Sequence, residues 1–282
     1  MPTESTDVYD LKRQIERLEK ECEGLQQRLS DVERDRVEYL QNVSHQIVAP
    51  LNAIKWHIEN LTETRVSIDR AKKVLRSIYS QATLAAHLAK NFRLMSNLET
   101  EHALSALKEP LQEVELCRLL VNLADDFQPL AWDRDIKIVV DDNPFASAPP
   151  VLAMRPLIIQ VFSNIIENAV KYADSGTTIL ISGEYVSGSD CVVVRIKDRG
   201  ISLTEADTKK VSQRGFRTDE AKRKYPAGTG FGLYIARRII ELHEGSITCE
   251  MRNLDVVFSV TLSVRGLEGK ARTRSAKDRS AN

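Results

Sequence analysis

Leu11, Ile15, Leu18, Cys22, Leu25, Leu29 and Val32 recur at alternating steps of four and three in a charge-dense stretch without proline. That spacing keeps one apolar seam along a long helix, and a two-stranded parallel coiled coil buries such a seam most simply. A single amphipathic helix packed on its own domain is the alternative. Beyond Arg36 the stripe continues through Leu40, Val43, Ile47, Leu51, Ile54, Ile58 and Leu61 with extra steps of four. Such insertions locally unwind a coiled coil, so a twist arriving from upstream would be converted here into another helix arrangement. After a polar break at Thr62 to Ser67, a second helical pattern runs from Ile68 to about Leu98. Two long helices joined by a short loop make an antiparallel hairpin, and its exposed stripe calls for dimerisation into a four-helix bundle.

Glu109-Pro110 marks a boundary, and from about residue 113 the pattern is mixed α/β. Helices are expected over Leu116–Leu130, Pro156–Tyr172 and Gly232–His243, and strands over Ile136–Val140, Thr178–Ile181, Cys191–Ile196 and Asp255–Val264. The expected product is an antiparallel or mixed sheet backed by helices, an α/β sandwich following the helical region. The divisions are 1–36, 37–108 and 109–266, with 267–282 an Arg-, Lys- and Ser-rich tail expected to be disordered.

Composition narrows the function. Lys plus Arg equals Asp plus Glu at 40 each, so no global positive field favours nucleic acid. Cys22, Cys117, Cys191 and Cys249 are far apart and form no C-x-x-C pair, which argues against a zinc ribbon or a disulfide framework. No run approaches the about 18 apolar residues of a membrane span, so a soluble, cytoplasmic chain is expected, with a sensory or membrane segment upstream left open.

Three polar clusters carry the chemistry. His45 lies between stripe residues Val43 and Ile47 and should meet water; Pro50 cannot donate to the Gln46 carbonyl, so a loosened turn is expected beside it. A neutral imidazole nitrogen is a competent phosphoryl acceptor, although a lone histidine is more often a surface residue. Asn164, Asn168 and Lys171 share one helical face with Tyr172 beside it, and can meet Mg²⁺, phosphate oxygens and a base. Asp198 and Gly200 end a strand, where a carboxylate can accept from an exocyclic amine and the glycine permits close approach. Gly228, Thr229, Gly230 and Gly232 lead into the helix starting at Leu233, whose amides can receive phosphate charge. Before them, residues 205–227 carry Lys209, Lys210, Arg214, Arg217, Lys222, Arg223 and Lys224, the composition of a mobile lid or of a merely solvated loop. No Gly-Lys-Ser/Thr ends the glycine loop and no βαβ unit surrounds it, so Walker A and Rossmann readings fail.

In this order and spacing, the clusters resemble the catalytic core of a bacterial two-component sensor histidine kinase, over roughly residues 37–265. Ser44 to Leu51 matches the H box, residues 164–172 the N box, Asp198 and Gly200 the G1 box, Arg214 to Arg217 the end of the F box, and Gly228 to Leu233 the G2 box. The resemblance implies a signalling coiled coil, a dimerisation and histidine-phosphotransfer hairpin, and an ATP-binding domain of the gyrase, chaperone, kinase and mismatch-repair superfamily. It implies ATP and Mg²⁺, with His45 as phosphoacceptor, Asn168 on the metal, Asn164 and Lys171 on phosphates, Tyr172 beside the base and Asp198 on adenine. A homodimer and a separate response-regulator receiver domain are the implied partners. Superfamily ATPases usually carry a glutamate at the position of Asn164; Glu167 points in another direction and is not assigned that role.

Departures from the family pattern sharpen the expectation. Gln46 replaces the Glu or Asp that usually follows the histidine, and an amide can orient a ring but cannot take its proton. Val48 and Ala49 replace polar residues, and the missing side chain at Ala49 counts against phosphatase activity. Ser202 replaces the second G1 glycine. The expected activity is ATP-dependent autophosphorylation on His45 followed by transfer to an aspartate of the regulator. The alternative is a degenerate kinase serving as a dimeric nucleotide-sensing module.

Overall fold

The computed structural model describes residues 4–63, 67–98, 110–145, 148–226 and 228–265, with only the backbone described at 4–12, 15, 32–33, 35–40, 42–43, 63, 96–98 and 144. The expected tail, most of the polar break after Thr62, Glu109, and the seam side chains of Leu11, Ile15, Val32, Leu40 and Val43 lie outside the described residues. The chain forms two compact units, Met1–His45 and Gln46–Asn282. Among the described residues, no helix is long and apolar enough to cross a membrane.

Helix α1 spans Glu4–Glu63 and is unbroken across Pro50. In the first unit the seam residues Leu18, Leu25 and Leu29 are exposed, so nothing among the described residues covers these three side chains. In the second unit the rest of α1 pairs with α2, Ile68–Leu98. Ser77 Oγ lies 2.9 Å from His57 Nε2, which sets their antiparallel register.

The α/β domain follows as β1 (Gln112–Val114), α3 (Leu116–Trp132), β2 (Lys137–Asp141), a 3-10 turn (Asn143–Phe145), β3 (Val151–Ala153), α4 (Arg155–Tyr172), β4 (Thr178–Val186), β5 (Cys191–Arg199), α5 (Glu205–Thr208), α6 (Asp219–Lys224), α7 (Gly232–Leu242), β6 (Ser246–Arg252) and β7 (Asp255–Ser263). Five strands form a mixed sheet in the order β2-β4-β5-β7-β6, parallel only between β2 and β4. β1 and β3 make a separate antiparallel ribbon.

Strand alternation decides which face is covered. Val192, Val194 and Ile196 of β5, Ile179 and Ile181 of β4, and Val260 and Leu262 of β7 are buried, with Phe162, Ile165, Ile166 and Val170 of α4 and Ile235, Ile239 and Ile240 of α7 also in the core. A strand at 246–252 was not expected from the sequence. Among the described residues β6 is an edge strand that pairs with β7 alone, and none of its residues is fully buried, so it carries no apolar alternation. His243 closes α7 onto the rest: its Nδ1–H donates to the Ile239 carbonyl at 2.8 Å, and Nε2 accepts from the Met154 amide at 3.1 Å. Burial holds this imidazole below its ordinary pKa.

α2 also docks on the α/β domain. Leu88, Leu94 and Met95 are buried, Tyr79 donates to Asp126 at 3.0 Å, and Arg76 lies over the Trp132 ring at 5.9 Å.

Gly183 permits the Phe145 ring to lie on β4, because a Cβ there would sit 2.1 Å from the ring carbon Cζ. Gly183→Ala is therefore expected to cost about 1–3 kcal/mol through overpacking, read as a lower denaturation midpoint in urea.

Candidate functional site

One cavity of about 910 Å³, open mouth included, gathers residues from motifs far apart in sequence. Helix α4 contributes Asn168, Lys171 and Tyr172; strand β5 contributes Asp198; the loop into α7 contributes Gly228, Thr229, Gly230, Gly232 and Leu233. Gln46 of α1 lines it as well. Among the other residues singled out from the sequence, Asn164, Gly200, Arg214 and His45 do not line this cavity. His45 is exposed in the first unit.

Asp198 reaches the cavity by strand register. It continues the inward alternation of Val192, Val194 and Ile196, so a carboxylate occupies a buried position and is only 4% exposed. Burial, followed by the neighbouring Asp255 charge, pushes its pKa up to about 7, against the opposing pull of Lys224. Gly200 acts from behind. Its backbone pairs with Ala173 just past α4, and a Cβ would come 2.0 Å from the Tyr172 carbonyl oxygen. Only glycine lets the strand end approach the helix end this closely.

The glycine loop is shaped by equally close contacts. Gly230 has φ +72°, and a Cβ on it would meet the Gly215 backbone at 2.7 Å. The amides opening α7 have no carbonyl one turn earlier in the helix, so they are donors available to an anion.

In the basic segment preceding this loop, Arg217 and Lys224 are tied into the fold. α5 is closed by a Thr204–Asp207 capping box, and α6 is capped by the Thr218 hydroxyl. Arg217 donates to the carbonyls of Pro226, Gly228, Ala221 and Tyr225, so its guanidinium ties the loop together. Lys224 donates to the Tyr172 carbonyl at 2.7 Å and pairs with Asp174 at 2.8 Å. These two cations organise backbone. Arg214 is exposed, with its guanidinium 5.7 Å from the Phe231 ring centre.

A buried polar network behind the cavity was not foreseen. Gln160, Asn164, Glu167 and Lys171 form a polar stripe on α4, facing His87 and Asn91 of α2. Gln160 Nε2 donates to His87 Nδ1 at 3.1 Å and to Asn91 Oδ1 at 2.9 Å. Asn91 Nδ2 donates to Asn164 Oδ1 at 2.7 Å. With a donor at Nδ1, the His87 ring proton belongs on Nε2, which lies 2.8 Å from both Asn164 Oδ1 and Glu167 Oε2. The second Glu167 oxygen is in charge contact with Lys171 Nζ at 2.6 Å. The readable signal was the i, i+4, i+7, i+11 polar stripe on an apolar helix, with His87 and Asn91 four residues apart elsewhere.

This geometry corrects the view of Glu167 as facing elsewhere. α4 is covered on every side, and Glu167 lines the same cavity as Asn168. Burial alone would raise its pKa, but Lys171 and then His87 outweigh that and hold the carboxyl down at about 2. Burial would likewise lower the Lys171 pKa; Glu167, aided by Tyr225, raises it instead. Glu167 is thus an engaged counter-ion, which leaves it poorly suited to act as a base.

Residues 154–266 match the family described as histidine kinase-, DNA gyrase B- and HSP90-like ATPase. The chain is 23% identical to the histidine protein kinase SaeS of Staphylococcus epidermidis over 94% of its own length and 73% of SaeS. It is 26% identical to the sensor histidine kinase WalK of Bacillus subtilis over 77% of its length and 34% of WalK. It is 29% identical to the adaptive-response sensory kinase SasA of Crocosphaera subtropica over 86% of its length and 62% of SasA. In fold it is similar to the histidine kinase AdeS of Acinetobacter baumannii, with a TM-score of 0.50 at 19% identity over 78% of this chain and 98% of that one. It is also similar to full-length ShkA, with a TM-score of 0.54 at 21% identity over 81% of this chain and 46% of that one.

The buried groups generate two expectations. Because the folded Asp198 pKa exceeds the ordinary 3.8, the cost of ionising it grows as pH rises from about 4 through about 7. Asp198→Asn should therefore melt above the ligand-free wild type at pH 8, with the gap closing as pH falls below 5. His87→Leu strips the donor from Glu167 and the acceptor from Gln160, and should cost about 1–3 kcal/mol. In a double-mutant cycle with Gln160→Leu, the two losses should be less than additive.

Proposed function

We propose, from the premise that this chain carries a catalytic core resembling those of bacterial two-component sensor histidine kinases, that it autophosphorylates on His45 at the expense of ATP and passes the phosphoryl group to an aspartate of a separate response regulator. The observation that carries the reading is the convergence of the N-box helix, the Asp198 strand end and the glycine loop on one cavity. On this reading Asp198 accepts from the adenine amine, Tyr172 flanks the base, and Lys171 with the amides opening α7 meets phosphate oxygens.

The cavity residues also fit a Mg²⁺ ion that arrives with the nucleotide. Magnesium is held chiefly by substrate phosphates, water and one or two protein oxygens, and Asn168 offers an amide oxygen at the cavity wall. Among the described residues there is no cluster of three or more His, Cys, Asp or Glu side chains that could form a separate metal cage. Bound there, the ion would offset charge on the transferring phosphoryl group. Asn164 belongs to the same motif; with its oxygen held by His87 and Asn91, its proposed contribution is to set the helix against the phosphate end.

In the reaction, a neutral His45 nitrogen attacks the γ-phosphorus, the bond to the leaving ADP oxygen breaks, a nitrogen–phosphorus bond forms, and the exposed ring's other nitrogen gives up its proton to water. Exposure of His45 suits both attack and later access by a receiver domain. A homodimer is part of the proposal: Leu18, Leu25 and Leu29 of the seam and Leu51, Ile58 and Leu75 of the hairpin are exposed apolar side chains that a four-helix bundle and its coiled-coil extension would cover. The second reading, a dimeric nucleotide-sensing module without catalysis, is favoured by Gln46, which cannot accept the histidine proton.

Incubation with ATP labelled at the γ-phosphate distinguishes the two. The wild type is expected to acquire acid-labile, base-stable label, lost in His45→Gln and reduced at least tenfold in Asn168→Ala. Label retained in His45→Gln would overturn the assignment, and nucleotide binding without label would favour the sensing module.

A further inference from the structure

Gln46 is 7% exposed, and its amide nitrogen is buried with no hydrogen-bond partner among the described residues. A buried donor left unpaired is costly and rare, which marks a position awaiting an acceptor. Arg217 and Glu167 also line the cavity and have an unbonded buried atom. Both are otherwise engaged, Arg217 by carbonyls and Glu167 by His87 and Lys171. Gln46 has neither kind of compensation.

The ligand-facing end it serves follows from the hairpin register. With Ser77 opposite His57, Gln46 falls opposite Leu88, one turn from Asn91, and these three residues form the hairpin's wall of the cavity. Asn91 binds Asn164, and the Asn164 oxygen would lie 3.5 Å from a Cβ placed on Gly232. The hairpin wall therefore adjoins the glycine loop and the start of α7, where anionic oxygens are expected, while Asp198 belongs to the strand end of the site.

Resting on the kinase reading, we infer that the side chain of Gln46, which lines the cavity with its amide nitrogen covered, turns that amide toward bound ATP and donates a hydrogen bond to its terminal phosphoryl group, so that the hairpin distinguishes ATP from ADP. The residue after His45 then acts on the nucleotide, and not as a substitute base beside the imidazole ring. A carboxylate in its place would set negative charge against the phosphate.

Calorimetric titration of the full chain with Mg-ADP and with a non-hydrolysable Mg-ATP analogue tests this, using Gln46→Leu, which removes the donor, and Gln46→Glu, which replaces it with a negative charge. Gln46→Leu should weaken the ATP analogue about tenfold, Gln46→Glu more than that, and ADP affinity should stay within about twofold in both. Retained ADP binding also reports a folded site. Unchanged affinities, or equal losses for the two nucleotides, would overturn the inference. So would faster labelling of His45 in Gln46→Glu at unaltered ATP affinity, the signature of a restored base. A wild type that binds neither nucleotide defeats the kinase reading itself. Wild-type binding and labelling with nucleotide discrimination indifferent to Gln46 defeats only this step.

Discussion

A single buried carboxylate organises the second unit. Glu167 lies between the Lys171 ammonium at 2.6 Å and the His87 ring at 2.8 Å, with both partners largely excluded from water. Taking such charges out of solvent is costly, and removal of one partner strands the other, so the three groups are held as a set. Because His87 belongs to α2 and Glu167 to α4, that electrostatic requirement also couples the hairpin to the α/β domain. It explains how α4 can carry polar side chains on a face that is buried, and it fixes the wall that Asn91 and Leu88 present to the cavity.

The cavity holds two carboxylates whose surroundings drive them in opposite directions. Glu167 has cationic and hydrogen-bonding partners and stays ionised far into acid; Asp198 is buried near Asp255 and is pushed up to about 7. The difference follows from placement. Glu167 sits one helical turn before Lys171, whereas Asp198 ends a strand whose inward register otherwise belongs to Val192, Val194 and Ile196. An engaged carboxylate shapes the site, and an under-compensated one retains lone pairs for a ligand's donor. Its unfavourable burial is the kind of local instability that binding sites retain.

Period-2 runs such as 191–199 and 255–263, and the apolar side of 155–172, were legible because hydrophobic alternation and periodicity record burial directly. The Gly228–Gly232 loop and Asp198 were legible because their residue types are unusual in their local context. β6 was not legible, since an edge strand with half-buried residues leaves no strong pattern. Neither was the function of Arg217, whose targets are backbone carbonyls and so have no residue identity to read. The His87–Glu167 contact joins positions 80 apart in the chain, and each looks alone like an ordinary polar residue. Gln46 was noticed for its chemistry, but the cavity it lines also draws on α2 and the α/β domain, which no local window contains.

Charge accounting gives these departures a common sense. Lys171 already answers Glu167, Arg217 is turned toward carbonyl dipoles, and Lys224 is paired with Asp174. The fixed positive charge left for a triphosphate is consequently smaller than the basic composition of residues 205–227 implies. On the kinase reading, neutralisation must be shared among a divalent ion brought with the substrate, the amides that open α7, and neutral donors placed along the wall. A glutamine at position 46 adds a donor to that arrangement without adding charge, where the carboxylate usual in the family would subtract from it. On the role proposed for Gln46, the residue that leaves His45 without an adjacent base would also help to hold the phosphoryl group to be transferred.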